Sequence, residues 1–277
     1  MEKTNEKKTL SIITEIYIIV ILIIFPLCVD STGFFRILEC KYSYYLIINS
    51  IYLISIIVTL LYYLFFKKTI FLKELKLNKI QWIAIAFWSI NVISTLVSPF
   101  FNKYNLFVGV GRGEGLINIT LYCLSFLCIT LFGEFKKRYI LYFSISSIFV
   151  SLISILQYIG FNPLNMYQDG IGTHNVSFIG TIGNVDFVSA LYCILLTVSI
   201  SAFVFLEENK YHKIIPLISI YMGFFIFEVL DVLSRNSSFW NNISASTSIY
   251  YYKQQKVGKT HNCCKYDFIR VCNKYNN

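Results

Sequence analysis

"YYLIINSIYLISIIVTLLYYLFFKK", from Tyr44 to Lys68, settles the class of fold. It carries no charge from Tyr44 to Phe66, and then two lysines close it. A membrane-spanning helix needs about 20 predominantly apolar residues. Lipid offers peptide groups no water, so an open chain crosses it only as helix. The same texture recurs at Leu10–Val29, Ile80–Val97, Leu116–Phe132, Tyr139–Ile159, Phe187–Leu206 and, marginally, Ile214–Leu230. The first segment follows Lys3, Lys7 and Lys8, as a signal peptide would, but its length and the spans after it favour a retained anchor. Over 277 residues the chain is 56% hydrophobic and only 14% charged, against about 25% charged in soluble domains. The expectation is an all-α, polytopic integral membrane protein with about seven transmembrane helices.

Lysine and arginine set the orientation. Lys3, Lys7 and Lys8, then Lys67, Lys68, Lys73, Lys76 and Lys79, then Lys136, Lys137 and Arg138, then Lys210 and Lys213 all fall on one side of this alternation. The other side holds Arg36, Lys41, Lys103 and Arg112 before the tail. Cytoplasmic loops carry the excess of Lys and Arg, so the N-terminus is expected in the cytoplasm. The net charge of +9 is thereby read as a topology signal, with membrane lipids as its partner and no nucleic acid.

Two external connections are long, and long loops on a rigid scaffold tend to carry function. The first ends in "GVGRGEGLINITLY", Gly109–Tyr122. Gly111, Gly113 and Gly115 bracket Arg112 and Glu114. On one reading this is a boundary: the glycines break the span, Arg112 reaches the headgroups, and Glu114 offsets the positive end of a helix. On the other it is an anion site. Glycines let backbone N–H groups converge on an anion, and arginine adds a planar fork suited to phosphate. The second loop ends in "GTIGNVDF", Gly180–Phe187. There Gly183 and Asn184 read as a turn, with Asn184 or Asp186 as the helix cap, or as polar groups lining an external cavity.

Other candidates are weaker. His174 is a loop histidine without a visible partner, and Glu15 and Glu228 fall near span ends. Cys28, Cys123, Cys128 and Cys193 lie in apolar runs, and Cys40 in a short polar loop. His261, Cys263, Cys264 and Cys272 match no zinc spacing, so no metal and no cofactor is expected. Spans two, four and five show few of the polar or broken helices that transporters use near the midplane.

Two stretches together resemble the bacterial O-antigen ligase and O-antigen polymerase proteins. "GRGEGLINITLYCLSFL" (Gly111–Leu127) is similar to their Arg-x-Glu-Gly approach to a middle helix. "QYIGFNP" (Gln157–Pro163) with "GTIGNVDFVSALYCILL" (Gly180–Leu196) is similar to the following helix end, external loop and Gly-x-x-Gly-Asn-x-[Asn/Asp]-Phe lead-in. Val185 stands where such proteins often have proline. The resemblance covers residues 1–230. It implies a glycosyltransferase of polysaccharide biosynthesis in the bacterial plasma membrane. Such an enzyme moves a glycan from a polyprenyl diphosphate to an acceptor sugar or lipid at the outer face. Arg112 would stabilise the departing diphosphate, and Glu114 would orient Arg112 or act as a base. Gly111, Gly113, Gly115, Gly183, Asn184 and Asp186 would line the substrate. A transporter or flippase, or a non-enzymatic membrane assembly protein, is the competing class.

Beyond Leu230 the text turns polar, and residues 231–277 carry Arg235, Lys253, Lys256, Lys259, Lys265, Arg270 and Lys274 on what the alternation makes the outside. The break in resemblance falls at the same place. A reading-frame shift shortly after Val232 would explain both. The tail is then expected to be disordered, and the chain to hold half of such a site and to be inactive alone.

Overall fold

A computed structural model describes residues 2–29, 36–66, 76–99, 103–109, 113–162, 164, 166, 180–183, 185–205 and 210–229. These residues form helices and turns, and no strand occurs among them. In chain order the helices are α1 (Glu2–Ile19), α2 (Ile37–Phe66), α3 (Lys79–Val97), α4 (Lys103–Val108), α5 (Leu116–Phe132), α6 (Arg138–Tyr158), α7 (Val185–Phe205) and α8 (Lys210–Val229). The tail, 231–277, lies outside the described residues, as do His174 and the frame-shift position.

Five stretches are long and apolar enough to cross a membrane: Asn5–Leu27, Ile37–Phe66, Lys79–Val97, Arg138–Tyr158 and Phe187–Val204. That is the build of a multi-pass membrane protein. α5 is apolar but shorter, at 17 residues. α8 is helical across the marginal seventh segment, but Lys210, Lys213 and Glu228 dilute it. The surface fits lipid rather than water. α3 buries only Gln81, and Ile83 and Val97 are 68% and 74% exposed. Contiguous apolar surface on this scale marks contact with a membrane or a partner.

Two boundaries differ from the sequence reading. α1 begins at Glu2 rather than Leu10, and past Ile19 it widens into a π-helical turn (Val20–Ile24) and then tightens into a 3-10 turn (Phe25–Leu27). Pro26 accounts for the break: it has no N–H to give, and its ring crowds the carbonyl four residues back. α2 begins at Ile37 rather than Tyr44. Cys40 is therefore not a loop residue. It lies one turn into α2 and is buried, which makes it a poor target for a water-borne thiol reagent.

The helices pack as two groups. α6, α7 and α8 close around Val150, Val188, Tyr192, Leu196, Ile226 and Phe227. Ser144, Ser147, Ser151 and Ser154 form a buried seam along α6, and such small residues let helix backbones approach in lipid. The seam is also bonded: Tyr192 donates to Ser151 (3.0 Å), and Ser199 lies 3.4 Å from Ser144 and 2.8 Å from Ser219. α1, α2 and α5 meet at a second core with Leu10, Tyr17, Tyr52, Ile56 and Phe132.

Within that second group, polar side chains sit at mid-span. Asn49 on α2 is fully buried. Its Oδ1 accepts from Tyr17 on α1 (2.8 Å) and from Ser125 on α5 (2.5 Å), and its Nδ2 donates to the Tyr45 carbonyl (2.8 Å). Tyr17 and Tyr52 stack at 4.0 Å, and the Tyr52 hydroxyl lies 3.1 Å from Thr14. Spans two and four, read as nearly free of polar features, hold this node between them, and the α6 seam gives span five its own.

Glu15 lies on α1 near the end where α5 gives way to α6. Its carboxylate binds both Lys136 and Arg138. Glu15 is only 15% exposed, and its partners are 33% and 48% exposed. Removing a carboxylate that two cations share strands charge in a partly dry site, an effect softened by solvent at the cations. Glu15→Ala should lower stability by ~1–3 kcal/mol, read as earlier thermal aggregation in detergent. Glu134→Ala serves as control. Glu134 is 59% exposed and only 3.8 Å from Lys7, so its loss should change little.

Candidate functional site

The site candidates gather at one end of the bundle, where α1 ends and α2, α5 and α7 begin. The break in α1 leaves the Phe25 and Pro26 carbonyls facing α2. Lys41 Nζ donates to Pro26 O (2.9 Å) and Phe25 O (3.3 Å) and lies 5.6 Å from the Phe25 ring centre. Thr181 Oγ1 donates to the same Pro26 carbonyl (2.7 Å). Thr181 belongs to the GTIGN stretch, so α1, α2 and the α7 lead-in share one acceptor. Gln157 at the end of α6 fixes that lead-in further. It donates to the Gly180 carbonyl (3.2 Å) and accepts from the Gly180 N–H (2.8 Å).

Both glycine stretches lean on the first turns of α2. Gly183 has φ +90°, and a Cβ there would lie 2.4 Å from Ile37 Cγ2. Gly113 has φ +68°, and a Cβ there would lie 2.7 Å from the Tyr42 ring. Only glycine meets both demands, a left-handed backbone and close approach. Two stretches about seventy residues apart in sequence thus each touch the first two turns of α2, one at Tyr42 and one at Ile37.

The first stretch has a neck. A Cβ on Gly115 would stand 2.3 Å from the Phe107 carbonyl oxygen, and one on Gly109 would stand 2.5 Å from the Glu114 nitrogen. The Gly115 N–H donates to the Val108 carbonyl (3.2 Å), tying α4 to α5. Gly115 is the N-cap of α5, and Glu114 stands exposed just before it. One turn inside α5, Asn118 is buried. Its Nδ2 donates to the Tyr122 hydroxyl (3.2 Å), while its Oδ1 has no partner.

Gly111, Arg112 and Asn184 lie outside the described residues, and Asp186 falls in the first turn of α7 with its side chain outside them. Of the residues singled out from sequence, Gly113, Glu114, Gly115 and Gly183 are placed, and all four are at this end. Lys41, Tyr42, Ile37, Thr181, Gln157 and Asn118 belong to it as well and were missed. Lys41 was counted only as a loop charge. Just past the last turn of α1, burial raises the Cys28 thiol above its ordinary range and the Lys41 charge draws it back, so little reactive thiolate forms at neutral pH. Among the described residues no group of three or more His, Cys, Asp and Glu lies together.

Chemically, this end offers an ammonium and the amino ends of three helices, α2, α5 and α7. These groups favour an anion. No protein-family model matches the chain, and no curated protein and no solved structure is significantly similar to it.

Proposed function

We propose that the chain is a bacterial plasma-membrane protein of the O-antigen ligase and polymerase kind, with seven spans and its N-terminus in the cytoplasm. Its outer end handles a glycan carried on a polyprenyl diphosphate and passes it to an acceptor sugar or lipid. The observation that carries this reading is that Gly113 of the GRGEG stretch and Gly183 of the GTIGN stretch both pack on the first two turns of α2, at Tyr42 and Ile37. Two motifs that resemble one family's site lie at one end of the bundle, beside a cation. In this reading Arg112 and the glycine turns bind the leaving diphosphate, Glu114 orients Arg112, and Asn184 and Asp186 complete the wall.

The test is transfer from a lipid-linked glycan, scored as free polyprenyl diphosphate, by the protein with the reading frame after Val232 restored; the 277-residue chain alone, with half of such a site, should release none. Where transfer is seen, Arg112→Ala should lower it by ~100-fold or more, as loss of a group that stabilises developing charge does. Arg112→Lys should keep part of it, since the ammonium lacks the two-pronged geometry. Full activity in Arg112→Ala would return Arg112 to the headgroup-anchoring role. The orientation has its own test in a cysteine-free background. Cysteine at the exposed position of Glu39 should react with an impermeant thiol reagent on intact cells, and cysteine at Glu134 only after permeabilisation. The reverse pattern would invert the protein.

A transporter or flippase is the second reading. It draws on the buried Asn49 node at mid-span, since transporters place polar groups near the midplane, and on the π and 3-10 break toward the end of the first span. Movement of labelled lipid-linked glycan across proteoliposomes without release of free diphosphate would favour it.

A further inference from the structure

α1 and α2 run antiparallel, so Phe25 and Pro26 meet Lys41 at one level and Tyr17 meets Tyr52 further along. Lys41 has three N–H groups and is half-buried. Two of them are engaged by the Pro26 and Phe25 carbonyls. Among the described residues no carboxylate pairs with it. Each carbonyl has a second donor, the Cys28 N–H on Phe25 O (3.2 Å) and Thr181 on Pro26 O (2.7 Å), so these shared dipoles offset the ammonium only in part. Among the described residues the ammonium therefore keeps a net positive charge, and one of its donors is unspent. A partly desolvated charge in that condition is costly until an anion arrives.

Along the same pair of helices lies a cavity of about 260 Å³, walled by Ile16, Tyr17 and Val20 of α1 and Ile48, Ile51 and Tyr52 of α2. Ile16 and Ile51 are 57% and 62% exposed, so it opens toward the surrounding lipid. Lys41, Ile48 and Tyr52 are spaced by seven and four residues, which puts them on one stripe of α2. Lys41 lies ~10 Å beyond the near end of the cavity at Ile48. Between the cation and the apolar trough stand the rings of Phe25 and Tyr45, 6.2 Å apart, so a chain that joins the two passes over an aromatic step on the same helix seam.

We propose that this seam holds the lipid carrier itself, with its diphosphate at Lys41 and its hydrocarbon chain in the α1–α2 cavity. The identity of the lipid rests on the glycan-transfer reading. The preference for a diphosphate over an ordinary phospholipid rests on charge and position. Lys41 immediately precedes Tyr42, which touches Gly113, and lies one turn past Ile37, which touches Gly183. A head group with two phosphates brings more negative charge to the ammonium and reaches further toward the two glycine stretches, whereas a phosphodiester carries a single charge.

Binding of a fluorescent polyprenyl diphosphate to the full chain in nanodiscs tests this. Lys41→Gln should weaken binding about tenfold or more, and Lys41→Arg should keep it within about threefold. Ile48→Trp, which fills the trough, should weaken the polyprenyl ligand while leaving inorganic diphosphate unaffected. Should Lys41→Gln fail to fold, a diazirine on the fourth isoprene unit from the head gives a second reading in the unaltered chain: crosslinks to residues 13–20 and 48–55 support the seam, and crosslinks confined elsewhere overturn it. Unchanged binding in both Lys41→Gln and Ile48→Trp would also overturn it, and if Arg112→Ala alone abolished binding, the glycan-transfer reading would survive. Loss with Lys41→Gln but not with Arg112→Ala would keep the seam and remove Arg112 from the site. Equal competition by phosphatidylglycerol would overturn the carrier as occupant.

Discussion

Gly115→Ala should be among the most damaging single-methyl changes in the chain, at about 3 kcal/mol or more. Its backbone is ordinary, with φ −83°, so strain in the alanine is not the cause. The cause is the Phe107 carbonyl oxygen 2.3 Å from the new Cβ, with carbonyl carbons of Phe107 and Val108 at 2.5 Å. These are backbone atoms and cannot swing aside. Relief requires α4 to part from α5, which breaks the Gly115-to-Val108 bond. Two other glycines calibrate the claim. Gly183→Ala combines a left-handed backbone with a clash against Ile37, a side chain that can turn, and should cost ~2 kcal/mol. Gly160 has φ +86° but nothing within 4 Å, so Gly160→Ala should cost only ~1 kcal/mol. Thermal aggregation of detergent-purified variants measures the order. Gly160→Ala proving as harmful as Gly115→Ala would mean that backbone handedness, not the neck, sets the cost.

The second large effect is expected at Asn49. Asn49→Ala leaves the Tyr17 and Ser125 hydroxyls without their shared acceptor and opens a gap where three helices meet. Interhelical hydrogen bonds in membranes contribute ~0.6–1.7 kcal/mol each, and the gap adds to their loss. A drop of ~2–3 kcal/mol follows. Tyr17→Phe and Ser125→Ala should each cost under ~1 kcal/mol, because each leaves Asn49 one partner. Their effects should not add to that of Asn49→Ala, since all three act through one oxygen. Additive losses would show that the hydroxyls work independently.

The positions of the helices were legible because an apolar run long enough to cross lipid has few other fates. Their ends were less so. Arg36, Glu39 and Lys41 look like loop charges, yet Glu39 and Lys41 sit in the first turns of α2. Arg36 pairs with Glu39 (2.8 Å) in solvent, and Lys41 folds back on α1. A charge bound to a backbone carbonyl leaves no mark in the sequence around it. Asn49 looked like one polar residue in a greasy helix, because its partners stand on two others. Glu15 stood out as a span-end carboxylate, but its partner Lys136 is 121 residues away. The glycine stretches were visible as motifs. Their common support on the first turns of α2 was not, since neither Ile37 nor Tyr42 has any local peculiarity.

The clasp between Gly109 and Gly115 has a bearing on how this protein could be re-engineered. The cost of closing the loop is met at its two ends, by backbone packed on backbone, whatever the chain between them reads. Closure entropy grows only with the logarithm of length, so doubling the segment adds about 0.6 kcal/mol. Between Gly109 and Gly113 residues can thus be inserted while the membrane-embedded helices keep their seating, provided that Gly113 stays against Tyr42; the same insertion would displace Arg112 and so separate binding from folding. A peptide tag or a new binding loop placed between Gly109 and Gly113 should be displayed at this end of the bundle without loosening α5.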